Sequence, residues 1–190
     1  MSPSEGGFLI ASPYLSDPHF FRTVVYILRH DSEGTFGVVI NRPGDLDLDG
    51  AFAESLGHSP RRTDSVYWGG PVEGPLLAIH NLSGLGEPCS ADSGPPEDAS
   101  VWFTSDEDQL RLLADRQDQQ VRFIAGCSGW SAGQLEAELR VGGWLVANAD
   151  QADLFGDSGP LWETLIRKQG REVLGDLVPS SQADFDPSLN

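Results

Sequence analysis

Two segments rich in β-branched residues, joined by a short polar turn, constrain the fold of this chain most strongly. Residues 23–28 read Thr-Val-Val-Tyr-Ile-Leu, and residues 36–40 read Phe-Gly-Val-Val-Ile. Valine, isoleucine, threonine and tyrosine are the residue types that strands favour. The intervening residues 30–34 are polar and end in glycine, as expected of a hairpin loop. The sequence therefore predicts an antiparallel β-hairpin in this part of the chain.

The remaining segments predict a sheet flanked by helices. Short apolar runs predict further strands at residues 8–11, 65–68, 76–79, 101–104, 121–125 and 143–147. Helices are predicted at residues 19–22, 45–59, 106–115 and 131–140, and from Pro160 onward. Hairpins thus precede an alternation of strands and helices, which favours an α+β fold over a doubly wound parallel sheet.

Local signals predict where several elements begin and end. Ser105 is the expected cap of helix 106–115, and Ser131 with Gln134 matches the capping-box pattern. The glycine-rich residues 126–130 predict a tight connection between a strand and that second helix. Residues 81–100 are rich in glycine, proline, serine and acids, which predicts a surface loop inserted in the domain. We therefore expect one domain over residues 1–178 and a disordered polar tail over residues 179–190.

The chain of 190 residues carries a net charge of −17, from 29 acidic and 12 basic residues. Such a negative field repels nucleic-acid phosphates and anionic lipids, so direct nucleic-acid binding is disfavoured. No stretch approaches the ~18 apolar residues that a membrane helix needs. The N-terminal residues also lack the pattern of a signal peptide. We therefore expect a cytoplasmic protein without a membrane segment.

Cysteine usage and glycine motifs point to no bound metal or cofactor. Cys89 and Cys127 are the two cysteines, and free thiols are expected in the cytoplasm, although one disulfide is arithmetically possible. The four histidines lie near no cysteine pair of the spacing that zinc sites use. The glycine-rich phosphate-binding fingerprints are absent from the sequence. The sequence thus predicts neither a metal nor a cofactor.

The segment Gly126-Cys127-Ser128-Gly129 resembles a nucleophile elbow only in part. The GxSxG pattern needs a glycine where this chain has Trp130, so the match fails. Cys127 has two interpretations, a nucleophile activated by the following helix or a packed, inert cysteine. We favour the inert cysteine, because no histidine is placed by the sequence as its base. No catalytic residue is therefore predicted.

Two groups of polar residues are candidates for ligand binding. His30 follows the first hairpin strand and Asn41 and Arg42 follow the second, so we expect the three side chains to lie together. A histidine beside an arginine can bind an anion or move a proton. The alternative is structural, since asparagine forms turns and the arginine can pair with a carboxylate. The second group lies at the start of a predicted helix and consists of Trp130, Gln134 and Glu136. These residues either form a small-ligand pocket at the helix N-terminus, or have structural roles in which Trp130 fills the core and Gln134 completes the helix cap.

These motifs, in this order, resemble the YqgE/AlgH family. The resemblance rests on Phe-Leu-Ile-Ala-Ser-Pro at 8–13, Val-Ile-Asn-Arg-Pro at 39–43, Gly-Gly-Pro-Val at 69–72 and Gly-Trp-Ser-Ala-Gly-Gln-Leu-Glu at 129–136. It covers roughly residues 6–178. It implies a compact α+β domain with a mixed, largely antiparallel and strongly bent sheet, and it brings no established catalytic residues. One branch of the family carries a label as a transcriptional regulator of alginate synthesis. This chain departs from the family pattern at Cys127, where an aromatic residue is expected.

Two functional hypotheses follow. The first is a non-enzymatic binding or regulatory module that acts through a protein partner rather than by touching DNA. The second is an enzyme or sensor with a small-ligand pocket built from His30, Asn41, Arg42, Trp130, Gln134 and Glu136. We favour the first, because the many glycines in the motifs indicate that the family pattern encodes fold geometry. The sequence leaves the oligomeric state open.

Overall fold

The predicted hairpin lies in the middle of a single large sheet. A computed structural model describes residues 3–89 and 99–177. Within these ranges the chain forms ten strands and five helices. In chain order they are β1 (Gly7–Ala11), β2 (Val24–Asp31), β3 (Gly34–Val39), β4 (Pro43–Asp47), α1 (Leu48–Ser55), β5 (Ser65–Trp68), β6 (Val72–His80), β7 (Glu87–Cys89), β8 (Val101–Thr104), α2 (Glu107–Asp115), β9 (Val121–Ser131), α3 (Gln134–Arg140), β10 (Trp144–Asn148), α4 (Gln151–Phe155) and α5 (Leu161–Leu177).

The sheet is mixed but mostly antiparallel. Its main path runs β10-β1-β2-β3-β9-β6-β8-β7, and β4 and β5 form a side branch. The pairing of β5 with β9 is parallel, and the other strand pairs are antiparallel. The predicted α+β fold and largely antiparallel sheet are therefore confirmed.

The 11-residue strand β9 joins the two halves of the sheet. Its C-terminal part, Ser128 to Ser131, pairs with β3, and its N-terminal part pairs with β6 and β5. Gly126 lies between these parts with φ +77, a conformation that favours glycine. Strand β9 thus joins the half of the sheet that contains β1, β2 and β3 to the half that contains β5, β6 and β8, because it changes pairing partners along its length.

Apolar side chains fill three clusters on the faces of the sheet. One cluster lies under α4 and α5, one under α1 and α2, and one under α3. The strand residues alternate between clusters, as the two-residue period of a strand requires. On β1, for example, Phe8 and Ile10 face the first cluster, whereas Leu9 and Ala11 face the third.

Several predicted elements are corrected by the structure. The helix at residues 19–22 is wrong, because this segment forms turns whose carbonyls at His19 and Phe21 accept hydrogen bonds from Arg42. The helix at 45–59 is shorter, because residues 43–47 form β4 and α1 begins only at Leu48. The tight connection at 126–130 is also wrong, because β9 continues through these residues, where Cys127 pairs with β6 and residues 128–130 pair with β3.

Two predicted caps are corrected as well. Asp106 rather than Ser105 caps α2, because its carboxylate accepts the Gln109 N–H at 3.0 Å. Gly133 rather than Ser131 is the N-cap residue of α3. Half of the capping box survives, since Gln134 Oε1 accepts the Ser131 N–H at 3.1 Å.

The predicted loop at residues 81–100 contains the short strand β7. Residues 90–98 of that loop, and the tail predicted at 179–190, lie outside the described residues. Helix α4 was not predicted from the sequence. In the described part of the chain, no helix is both long and apolar enough to cross a membrane.

Candidate functional site

Asn41 and Arg42 hold the segment before β2 against the sheet. Asn41 Oδ1 accepts the Val24 N–H at 2.8 Å, and its Nδ2 donates to the Arg22 carbonyl at 3.0 Å. Arg42 donates to the His19 and Phe21 carbonyls at 2.7 and 2.9 Å. Each of these bonds joins a side chain to the backbone. The polar groups proposed for a ligand are therefore already engaged in structural hydrogen bonds.

His30 lies at the opposite end of the hairpin from Arg42. Strand β2 continues to Asp31, so His30 is beside the turn, whereas Asn41 and Arg42 follow the other end of β3. The six residues of β3 separate the two ends by roughly 20 Å at ~3.4 Å per residue. The predicted proximity of His30 to Asn41 and Arg42 is therefore wrong. The physical reason is the antiparallel pairing, which places the end of β2 at the turn and the end of β3 at the opposite end of the hairpin.

His30 instead approaches the start of α3. Its Nδ1 lies 2.7 Å from Thr35 Oγ1, and its Nε2 lies 3.8 Å from Glu136 Oε1. The Glu136 side chain is 46% exposed, so water screens this pair. The structure thus brings together His30 and Glu136 of the predicted set.

Trp130 and Gln134 take part in a network centred on Glu138, a residue absent from the predicted ligand-binding set. The indole N–H groups of Trp130 and Trp144 donate to Glu138 Oε2 at 3.0 and 2.8 Å, and Gln134 Nε2 donates to Oε1 at 3.0 Å. The two indole rings pack edge to face with their centroids 5.6 Å apart, and both side chains are at least 95% buried. Trp130 is therefore a core plug. The four-residue spacing of Gln134 and Glu138 was the sequence signal that could have found this network.

A second region takes its shape from the motif glycines. A Cβ on Gly69 would lie 2.3 Å from the Gly126 carbonyl oxygen, and one on Gly70 would lie 2.2 Å from that of Cys127. The buried hydroxyl of Ser128 also donates to the Gly69 carbonyl at 3.0 Å. The backbone between β5 and β6 therefore lies directly on β9, at a distance that leaves no room for side chains.

Strand β6 then bulges away from β9. Val72 pairs with Cys127 and Leu76 pairs with Ala125, so three residues of β6, 73–75, lie opposite Gly126 alone. A bulge of this kind bends the strand and interrupts the ladder. Cavities open on both sides of Glu73 and Gly74, and the larger, of about 540 Å³, is wide open and lies beside Trp68 and Pro71.

The second cavity, which we call the apolar groove, has a volume of about 280 Å³. Its floor is apolar and is formed by Phe36, Gly74, Pro75, Leu77, Phe103 and Cys127. Its rim carries the charged side chains of Arg29, Glu73 and Glu87. A cavity of this size is at the lower end of the range of small-molecule sites, and suits one large apolar side chain.

The rim of the apolar groove is negatively charged. Arg29 Nη2 donates to Glu87 Oε2 at 2.6 Å, with both side chains more than half exposed. The exposed Glu73 carboxylate has no hydrogen bond or ion pair within residues 3–89 and 99–177. Ser105 at the groove is followed by Asp106, Glu107 and Asp108. An incoming cation would therefore meet excess carboxylate.

Both cysteines are free thiols. Burial raises the pKa of Cys89 to about 11, and burial also raises the pKa of the half-buried Cys127. The interpretation of Cys127 as a nucleophile needed a following helix, but Cys127 lies inside β9 and its thiol contacts the Val72 carbonyl at 3.7 Å. These surroundings favour the neutral thiol, which is the unreactive form. Among the described residues, no group of three or more His, Cys, Asp or Glu side chains could hold a metal ion.

Comparison with known proteins gives the chain its relatives. The AlgH-like family model matches residues 8–174. UPF0301 proteins of Thermobifida fusca and Streptomyces coelicolor are 36% and 35% identical over 192 and 194 residues. These alignments cover 97% and 100% of this chain, and 94% and 97% of the relatives.

Solved structures share the fold. The solution structure of the AlgH protein from Pseudomonas aeruginosa matches with a TM-score of 0.70 at 30% identity, covering 92% of this chain and 95% of that one. The crystal structure of protein DIP2367 from Corynebacterium diphtheriae matches with a TM-score of 0.66 at 24% identity, covering 89% and 88%. The resemblance drawn from the motifs is thus confirmed, and the chain belongs to the AlgH-like family.

Proposed function

We propose that this chain is a cytoplasmic, non-enzymatic binding module, and that any regulatory role, including one in transcription, is exerted through a protein partner. The observation that carries the proposal is that most of the six predicted ligand-binding side chains already make hydrogen bonds within the protein. Asn41 and Arg42 bond backbone carbonyls and an amide, while Trp130 and Gln134 bond Glu138. These groups are already satisfied without a ligand.

The surface offers a place for a protein segment instead. The apolar groove is open, its floor is apolar, and its rim carries charges that are accessible to a partner. Interfaces of proteins commonly combine such an apolar centre with a polar rim. This arrangement supports binding of a polypeptide over turnover of a small molecule.

The distribution of arginines supports contact with protein over contact with nucleic acid. Phosphate binding needs free cationic side chains. Within residues 3–89 and 99–177, six arginines form ion pairs with carboxylates: Arg22, Arg29, Arg62, Arg111, Arg116 and Arg167. With a net charge of −17, we expect the chain to leave DNA unbound and to attract cationic proteins.

Two titrations test the proposal. A tagged chain is used to purify its partner from its own cells at ~50 mM salt, and the partner is then produced separately and titrated against the chain. We expect a defined complex that weakens at ~500 mM salt. In parallel, a fluorescent DNA duplex is titrated at ~50 mM salt, and we expect no tight binding. Tight, salt-sensitive DNA binding would contradict the proposal, as would the lack of any partner that binds again after purification.

A further inference from the structure

We propose that the apolar groove binds a basic, extended segment of a partner protein, with one apolar side chain of that segment seated on Phe36, Leu77 and Phe103. This inference rests on the proposed function and names the surface and the class of partner. Three observations carry it: the open edge of β6, the size and lining of the groove, and the charge around it.

The backbone of β6 is open beside the groove. Strand β8 pairs with β6 from Ala78 to His80, and the described residues place no strand beside residues 72–77 on that side. The bulge opposite Gly126 also interrupts the pairing of residues 73–75 with β9. An extended peptide can lie along such an unpaired strand and direct alternate side chains downward. The exposed first half of β6 is therefore suited to an extended occupant.

The groove accommodates an apolar anchor. Leu77 and Phe103 are 94% and 91% buried, and together with the half-buried Phe36 and Cys127 they form a continuous apolar floor. The volume of about 280 Å³ holds one large side chain and little else. Gly74 widens this floor, since a Cβ there would meet only Cys127 Sγ, at 3.8 Å.

Charge selects the occupant among the segments that could fill the groove. A second copy of this chain would bring another net charge of −17. The segments outside the described residues are acidic too: residues 90–98 contain Asp92, Glu97 and Asp98, residues 178–190 contain Asp184 and Asp186, and neither segment contains a basic residue. The Glu73 carboxylate, which has no partner among the described residues, would repel all of these. A segment with arginine or lysine flanking its anchor is complementary to the rim.

The test uses the purified chain and a fluorescent eight-residue peptide that alternates arginine with leucine. Binding is followed by fluorescence anisotropy at ~50 and ~300 mM salt. One comparison peptide replaces each arginine with glutamate, and another replaces each leucine with serine. We expect the original peptide to bind at least ~10-fold more tightly than either, because the groove selects for both charge and an apolar anchor. Equal binding of the serine peptide, or failure of the original peptide to bind, would overturn the inference.

Variants locate the binding to the groove. Glu73→Arg inverts the rim charge and Cys127→Phe fills the floor, and we expect each to weaken binding at least ~10-fold. Asp45→Arg makes the same change of charge on an exposed carboxylate of β4 that lines neither cavity beside the bulge, and should alter affinity less than ~3-fold. An equal loss of affinity in Asp45→Arg would show that the peptide is attracted by the net charge of the protein and would contradict binding at the groove. Binding that is unchanged in Cys127→Phe would overturn it as well.

Folding of each variant is checked by thermal denaturation. If Cys127→Phe does not fold, Gly74→Val takes its place, since the site of Gly74 has ordinary backbone geometry and room for a Cβ. The experiments also distinguish failure of the groove proposal from failure of the proposed function. If a natural partner still binds both Glu73→Arg and the floor variant, the groove is not the binding site, but the chain is still a binding module.

Discussion

The indole nitrogen of Trp144 lies 2.8 Å from Glu138 Oε2, the same carboxylate oxygen that accepts the Trp130 indole N–H at 3.0 Å. Phe20 packs against both rings at 5.8 and 5.3 Å. One carboxylate thus satisfies two buried donors and fixes α3 over the sheet. The polar groups of Trp130, Gln134 and Glu138 therefore bond one another and stabilise the fold.

Removal of the Glu138 carboxylate should destabilise the protein markedly. We expect Glu138→Ala to lower the free energy of unfolding by about 2–4 kcal/mol, because two buried N–H donors lose their acceptor. Glu136→Ala on the same helix is the matched control. It removes the screened contact with His30 and one acidic group in the first turn of α3, so its effect should stay below about 1 kcal/mol. Urea denaturation of the two variants measures both changes in the free energy of unfolding. A loss in Glu138→Ala as small as that in Glu136→Ala would show that the Glu138 network does not stabilise the fold.

The two thiols should differ sharply in reactivity. In the native protein, we expect Ellman's reagent to modify Cys127, which is half-buried, and to leave the buried Cys89 unmodified. Because burial raises the pKa of Cys127, its rate should be slow at neutral pH and rise steeply above the usual thiol pKa of ~8.5. In urea both thiols should react. Rapid reaction of Cys127 at pH 7 would instead indicate an activated nucleophile, contrary to our interpretation.

Acid should destabilise the fold through His80. This side chain is fully buried, its Nδ1 accepts the Leu82 N–H at 3.2 Å, and Nε2 has no partner in the described part of the chain. Burial lowers the pKa of His80 to about 4. The unfolded chain therefore takes up a proton first as the pH falls below ~6.5, and the stabilisation is lost between pH ~6.5 and ~4. From pH 7 to pH 5 we expect a loss of about 1–2 kcal/mol from this group.

The variant His80→Asn isolates this contribution. Asparagine keeps an acceptor for the Leu82 N–H but does not titrate in this range. Urea denaturation at pH 7 and pH 5 should show a smaller loss in the variant than in the natural chain, since the carboxylates titrate in both. The same loss in both proteins would exclude His80 as the acid-sensitive group.

The sequence predicted the sheet well because its central strands depend on local composition. Residues 23–28 and 36–40 are rich in β-branched and apolar side chains, which favour a buried strand whichever strands they pair with. They form most of β2 and β3, as predicted. Where the prediction was wrong, a distant residue decided the local structure. Arg42 draws the carbonyls of residues 19 and 21 out of a helical pattern, and β3 extends β9 across a segment rich in glycine.

The candidate site could be predicted only in part for the same reason. His30 and Glu136 were in the predicted set and lie together, because β9 pairs with β3 near the hairpin turn and leads into α3. The antiparallel hairpin places Asn41 and Arg42 at its other end, and the pairing of β3 with the distant β9 could not be read from either segment alone. The apolar groove was not predicted at all. It arises from a register shift between β6 and β9 and draws its lining from strands far apart in sequence, so no single segment carries its signal.

Native mass spectrometry of the protein, purified gently from its own cells, distinguishes a protein-binding module from an enzyme or sensor with a small ligand. We expect a second polypeptide bound to the chain and released at high salt, with no small molecule retained. A reproducible small-mass adduct on the chain would contradict the binding-module account and support an enzyme or sensor, with Arg42 and Trp130 as the first residues to substitute.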